Sequence, residues 1–301
     1  MIPDRCLADR AHASASSSLG RPGRGLWLCL AGLLTLTTIH AVSGCATTDG
    51  QPAEPRELLQ QELVLESLKV RVTYWPEDEK TVTKVIASLG QAVPATALWG
   101  EFEASIDLHI LPDHESLARA TKRYGYPWLR AWARYDEILL QSPRTFDLFE
   151  RGAANLTELM VHELTHCLMY QRAASKENWR QADRTIPIWF REGMASFTAE
   201  QGHRRLSEAH LAEWRIDTGT DPISEADRLY KDKPEVVYAA AHWAFTHLME
   251  RYGTGIAVIV LELIRNGSDF PEAFRKATGI PEHEFTEGFL SRLDRYDQTG
   301  R

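Results

Sequence analysis

The chain is poor in cysteine, with four in 301 residues, which excludes the small folds that rely on a disulfide framework in place of a core. It has no long block of Lys or Arg. Lys+Arg 34 against Asp+Glu 42 gives a formal charge of -8 and a sequence pI near 5.8. Nothing in it could track a phosphate backbone, so nucleic acid is not an expected partner. A glycine-rich phosphate loop and the strand-turn-helix glycine fingerprint of dinucleotide sites are both missing, which argues against nucleotide chemistry. There is also no internal repeat. What remains is an ordinary globular composition, 44% hydrophobic and 25% charged, long enough for one large or two small domains.

Arg21 and Arg24 precede an apolar run from Leu26 to Ile39. Its length suits a secretory h-region and is too short to cross a bilayer comfortably. The run is followed by Val42-Ser43-Gly44-Cys45, a hydrophobic residue, two small ones and a cysteine. That ending resembles the lipobox of bacterial lipoproteins. The resemblance implies a signal peptide over residues 1–44, cleavage before Cys45, and lipid on its thiol and new amino group. A conventional signal peptide cut near Ala41 or Ala46, or an uncleaved anchor, is the alternative, and either leaves the remainder exported. Multiple acyl chains hold a protein at a bilayer where one chain binds only marginally, so the membrane is an expected partner through Cys45. Ala46 stands where an aspartate would resemble the inner-membrane retention signal, so in a Gram-negative envelope the expected site is the outer membrane, facing the periplasm. Removing residues 1–45 leaves 30 basic against 40 acidic side chains and a charge of -10. Cys6 and Cys29 leave with the signal, and Cys167 becomes the remaining thiol. Residues 45–57 are rich in turn formers and short of apolar side chains, as expected of a flexible tether.

Beyond the tether, Leu68, Val70, Val72 and Tyr74 alternate with polar neighbours as a strand, and Ile106, Leu108 and Ile110 repeat the pattern. Residues 78–92 between them predict a helix. Two further short strands are expected at Trp132 to Tyr135 and Ile138 to Gln141, separated by Asp136-Glu137. From about residue 154 the chain reads as helical, with Asn155 as candidate N-cap and Glu158 completing an approximate capping box. That helix should run to about Arg172, and another should begin near Pro187 and end before Gly202. Further helices are expected at about 234–252, 255–265, 270–278 and 281–295, with Gly253, Gly267 and Gly279 as terminators. The expected class is α+β, with a strand-rich part over 58–150 and a helical part over 151–301 sharing one cleft.

The chemistry is concentrated in His162-Glu163-Leu164-Thr165-His166. On a helix, residues four apart share a face, so two imidazoles can reach one metal while Glu163 stands close enough to take a proton from metal-bound water. Two unrelated histidines on a helix are the alternative. They would leave polar groups among Leu159, Met160, Val161, Leu164 and Leu168, a costly arrangement unless they are paired. Trp189-Phe190-Arg191-Glu192-Gly193-Met194-Ala195 offers a third ligand in Glu192, giving a His2Glu set with a fourth position open, and its small residues permit close helix approach. Cys167 lies about 100° round the helix from His166 and reads as a small buried hydrophobe.

These two segments resemble the gluzincin metallopeptidases, the thermolysin-like and aminopeptidase-like group. The family pattern falls on His162, Glu163, His166 and Glu192, with Trp189, Phe190, Gly193 and Ala195 also matching. The resemblance implies a zincin-like fold with an edge strand at the cleft, one Zn2+ per chain held by His162, His166 and Glu192, and a peptide or protein substrate. It also implies Glu163 as general base and, in the aminopeptidase-like branch, Tyr238 as donor to the oxyanion. His242, one turn later, is the alternative donor, whereas His247 reads as structural. An edge strand around Ala133 to Tyr135 would hold the peptide through its backbone. Twenty-five residues separate His166 from Glu192, more than in the best-known members, and Ser196 stands where thermolysin-like enzymes carry an aspartate. The group that orients a ligand histidine is therefore unassigned. No Gly-Ala-Met-Glu-Asn exopeptidase segment is found, so an endopeptidase is favoured. Hydrolysis of another amide and non-catalytic binding of peptide or envelope polymer are the competing classes, and the intact Glu163 argues against the latter.

Overall fold

The computed structural model describes residues 57–146 and 153–299. The expected signal peptide, Cys45 and nearly all of the expected tether lie outside the described residues. No helix among those described is long and apolar enough to cross a membrane.

Strand β1 (Leu59–Leu65) opens the fold and pairs antiparallel with β2 (Leu68–Tyr74) through a tight link, in which Glu66 takes a positive φ of 53°. In β2 the four apolar residues are buried and Lys69 and Arg71 are exposed, as the alternation requires of a sheet with one face on the core. Helix α1 (Glu79–Thr96) follows, burying Val82, Val85, Leu89, Ala92 and Val93 along one stripe. It overruns the expected stop near residue 92 by about a turn and carries Pro94 within its last turn. Strand β3 (Ile106–Leu111), helix α2 (His114–Thr121), strand β4 (Ala131–Ala133) and strand β5 (Glu137–Gln141) complete a five-stranded sheet of order β1-β2-β3-β5-β4. Strands β2, β3 and β5 are parallel, and β1 and β4 are antiparallel edges.

Helix α3 (Ala153–Ala173) lies between two cores. Met160, Leu164 and Cys167 pack with the sheet and α1, whereas Leu168, Met169 and Tyr170 face the helical half. A helix buried on both sides has few places for charge, which makes its two histidines and its glutamate informative. The expected capping box does not form. The helix starts before Asn155, whose side chain accepts from Arg204, and Glu158 is drawn 2.9 Å from Arg204 Nε. Both residues hold a neighbouring segment instead of the helix end.

The helical half continues with α4 (Trp179–Thr185), α5 (Ile188–Thr198), α6 (Glu208–Thr218), α7 (Ala226–Leu229), α8 (Pro234–Tyr252), α9 (Gly255–Arg265), α10 (Phe270–Thr278) and α11 (Glu282–Thr299). Pro187 is the residue before α5 rather than its first turn. The class is α+β, a small strand-rich half followed by a mainly helical one, as expected.

Candidate metal centre

Three elements bring the site together. Helix α3 supplies His162, Glu163 and His166, α5 supplies Glu192, and α8 supplies Tyr238. Helix α5 is fixed by the two aromatics before the glutamate. Trp189 meets Phe270, Phe274 and Phe285 at centroid distances of 6.1, 6.0 and 5.5 Å, and Phe190 meets Phe245 and Phe270 at 5.3 and 5.2 Å. Such rings add edge-to-face attraction to the area they bury. Gly193 then lets α5 touch α8. A Cβ there would fall on the Ala241 carbonyl oxygen and within 2.6 Å of Phe245 Cβ.

His162, His166 and Glu192 are all buried and offer ligand atoms that lie within 4.8 Å of one another. His162 Nε2 and His166 Nε2 are 3.2 Å apart, and Glu192 Oε2 is 3.3 Å from the first and 3.5 Å from the second. A tetrahedral zinc with bonds of about 2.0–2.1 Å has ligand-to-ligand edges of about 3.3 Å, so the triangle fits the ion. Glu192 Oε2 has no hydrogen-bond partner among the described residues, although it is buried. A desolvated carboxylate oxygen aimed between two imidazole nitrogens calls for a cation. Burial acts to raise the Glu192 carboxyl, yet His166 and His162 hold it well below the usual carboxylate range.

Glu163 is on the same helix, buried beside the triangle. Burial pushes its carboxyl up to about 7 and the charge of Glu192 adds to the rise, while His162 and the Ala133 N–H oppose it. A carboxylate so placed can take a proton and give it back near neutrality. Tyr238 lines the cleft, its ring 6.1 Å from that of His162. Burial, reinforced by Glu192, pushes its phenol well above the ordinary value, which keeps it a neutral donor. His242 does not border the cleft. It accepts or donates at 3.1 Å with Ser196 Oγ, and its ring lies against Gly202. Ser196 therefore serves His242 rather than a ligand histidine, and the Nδ1 atoms of His162 and His166 find no partner among the described residues.

Edge strand β4 borders the ligands through Ala131, Trp132 and Ala133. Arg134 N donates to Glu137 O and Gln141 N to Arg130 O, so the even-numbered peptide groups face β5 and those of Ala131 and Ala133 face the cleft. The expected span of Ala133 to Tyr135 shifts by two residues, because the chain turns after Ala133 and Tyr135 is buried in the helical core.

Other groups of the site were not singled out by the sequence. Tyr230 Oη donates to Glu192 Oε1 at 3.1 Å and meets Tyr238 Oη at 3.0 Å, forming a chain Tyr238, Tyr230, Glu192. It follows the one-turn helix α7, where no periodicity marks it. Tyr170 lies nearly parallel to His166, 20° between planes, and its hydroxyl donates to Asp183, which also takes Arg191. Its position four after His166, hence on the same face, was the available signal.

No family profile matches the chain, and no curated protein matches its sequence. Among solved structures, an M1 zinc metallopeptidase from Deinococcus radiodurans is 12% identical over 86% of this chain and 62% of its own, with a TM-score of 0.42. A mutant M1 zinc metallopeptidase from Deinococcus radiodurans bound to a Tyr-Ser-Ala substrate matches at 12% identity over 86% and 62%, with a TM-score of 0.36. An aminopeptidase N family protein from Idiomarina loihiensis is 12% identical over 88% of this chain and 48% of its own, with a TM-score of 0.33. This chain thus spans less than two thirds of the length of each.

Proposed function

We propose that the chain is a zinc-dependent peptidase, acting on internal bonds of peptides or proteins. The observation that carries this reading is the triangle of His162, His166 and Glu192 atoms, with edges of 3.2, 3.3 and 3.5 Å and the Glu163 carboxylate beside it. Zn2+ held there, one per chain, supplies a Lewis acid for the scissile carbonyl and for the attacking water. Glu163 takes the proton released in the attack and returns it to the leaving amine. Tyr238 donates to the oxygen that gains charge on the attacked carbonyl, for which its hydroxyl turns away from Tyr230. The outward peptide groups of Ala131 and the carbonyl of Ala133 hold the substrate as an added antiparallel strand. Among the described residues the carboxylates lining the ligand cleft are Glu163 and Glu192. Both have tasks in this reading, which leaves no acidic group there for a substrate's free amine and favours an endopeptidase. Export and lipid attachment at Cys45 complete the proposal, and the mass of the envelope-extracted chain tests them. The unmodified full-length mass would count against the lipid.

The test compares metal content and peptide turnover for the wild-type chain, His162→Ala, Glu192→Ala and Glu163→Gln. Near one zinc per chain is expected in the wild type and in an inactive Glu163→Gln, with zinc lost from the other two. A well-folded chain that takes up no zinc sinks the reading.

A further inference from the structure

Beside the ligand cleft runs a groove of about 360 Å³ that it shares with Leu129, Ala131, His162, Glu163 and Tyr238. Three arginines border it, and they differ in what occupies them. Arg204 is taken by Glu158, and Arg130 donates to the carbonyls of Pro127 and Leu129. Arg205 is part-buried and has no carboxylate within ion-pair distance among the described residues. Its Nε donates to Ser196 Oγ at 3.3 Å and one Nη to Gln201 Oε1 at 2.5 Å, both neutral acceptors. Its Cζ stands 4.7 Å from the centroid of the Tyr238 ring. Glu235 also lines the groove but is exposed, so solvent screens it. Glu192 and Glu158 favour its charge only from beyond ion-pair distance, and a guanidinium withdrawn from water with no carboxylate in contact is costly, a cost that is offset when an anion arrives. Its planar fork of donors is shaped for a carboxylate.

The sheet gives the direction from which that anion comes. A peptide added antiparallel to β4 runs opposite to residues 131–133, so its C-terminal side passes the N-terminal end of β4. There Leu129, Arg130 and Ala131 border the groove, whereas Trp132 and Ala133 border the ligand cleft alone. The Tyr238 ring is 6.1 Å from the His162 ring and 4.7 Å from Arg205 Cζ, which puts His162 and Arg205 within about three extended residues of each other at most. We propose that Arg205 anchors a substrate carboxylate on the C-terminal side of the bond that is cut, which makes acidic peptides the preferred substrates. The carboxylate is an Asp or Glu side chain, or the peptide's own C-terminus, within about three residues of that bond. The inference rests on the peptidase reading and gives its site a substrate class.

The test uses the full chain loaded with zinc. A peptide that it cleaves, with the cut located by mass spectrometry, is remade with Glu, Gln or Lys at each of the three following positions and with a free or amidated C-terminus. The wild type is expected to prefer a carboxylate over its amide by about tenfold or more in kcat/KM. That ratio should fall to near one in Arg205→Gln and survive in part in Arg205→Lys. Because the readout is a ratio, a general loss from a disturbed Tyr238 does not imitate it. A preference that follows the side chain identifies an internal acidic residue as the source, and one that follows the free terminus identifies the terminal carboxylate. Equal cleavage of acid and amide by the wild type, or a preference that persists in Arg205→Gln, overturns the anchor and leaves the peptidase standing. Calorimetric binding of a short acidic peptide and its Gln, amidated counterpart to Glu163→Gln and to Glu163→Gln/Arg205→Gln repeats the comparison without turnover. Arg205-dependent binding in these variants together with a zinc-loaded wild type that cleaves nothing would retain the carboxylate site and sink the peptidase, whereas no binding in the variants and no cleavage by the wild type would sink both.

Discussion

Glu192 has two oxygens with different surroundings. Oε2 faces the two histidines, and Oε1 accepts from Tyr230. A hydrogen bond to the far oxygen of a ligand fixes which lone pairs meet the metal, and losing such a partner typically costs 10- to 100-fold in affinity. Tyr230→Phe is therefore expected to weaken zinc binding by about that factor, read by competition with a chromogenic chelator. Tyr238→Phe should leave that affinity nearly unchanged and lower kcat by roughly 10²-fold or more. Equal zinc affinity in Tyr230→Phe and wild type would remove Tyr230 from the support of Glu192. The pair also shows what was legible in the sequence. His162, Glu163 and His166 belong to one turn of helix, so five letters place them. Tyr230 acts on Glu192 across 38 positions, and Arg205 sits between a 3-10 turn and α6. Neither has a local period to announce it.

Helices α5 and α8 meet through Gly193, and no rotamer of any larger residue removes its Cβ from the Ala241 carbonyl. Gly193→Ala is expected to force the helices apart at a cost of about 1–3 kcal/mol. Because Glu192 is the adjacent residue, zinc affinity should fall together with the unfolding midpoint. Unaltered values of both would mean that the contact yields freely. At this scale helices α9 and α10 and the alternating strands β2 and β3 were readable because each has one buried face, and α8 because it is a long apolar segment buried on nearly every side. Strand β1 was not, because a single residue of Leu-Gln-Gln-Glu-Leu-Val-Leu, Leu63, is buried and Val64 is exposed. Helices α2, α4, α6 and α7 are short or polar-faced and give weak patterns. Asn155 and Glu158 satisfied a capping pattern locally, but tertiary pairing with Arg204 claimed both.

For the molecule as a whole, α3 joins the two cores and carries three of the five residues assigned roles in catalysis and metal binding. A cation that binds the folded chain at a thousand times its Kd adds about 4 kcal/mol of stability. Stripping zinc should then lower Tm by roughly 8–16 °C for a fold of this size, and Glu163→Gln should keep that dependence whereas Glu192→Ala loses it. Calorimetry with and without chelator reads it, and a metal-independent Tm in the wild type would separate the cluster from the stability of the fold. The strand-rich and helical halves were legible as an order of patterns, whereas their meeting at α3 depends on contacts that no single segment encodes. The edge strand at the cleft has a consequence for solubility. An unpaired β edge that welcomes a peptide also welcomes the edge of another copy, the first step toward fibrous assembly. Strand β4 is three residues long and the chain turns away after Ala133, so a second copy could add only a few backbone bonds. On the proposed peptidase reading a substrate would gain those same few bonds plus the contacts at its reacting carbonyl, and brevity would thus separate a guest from a stray neighbour.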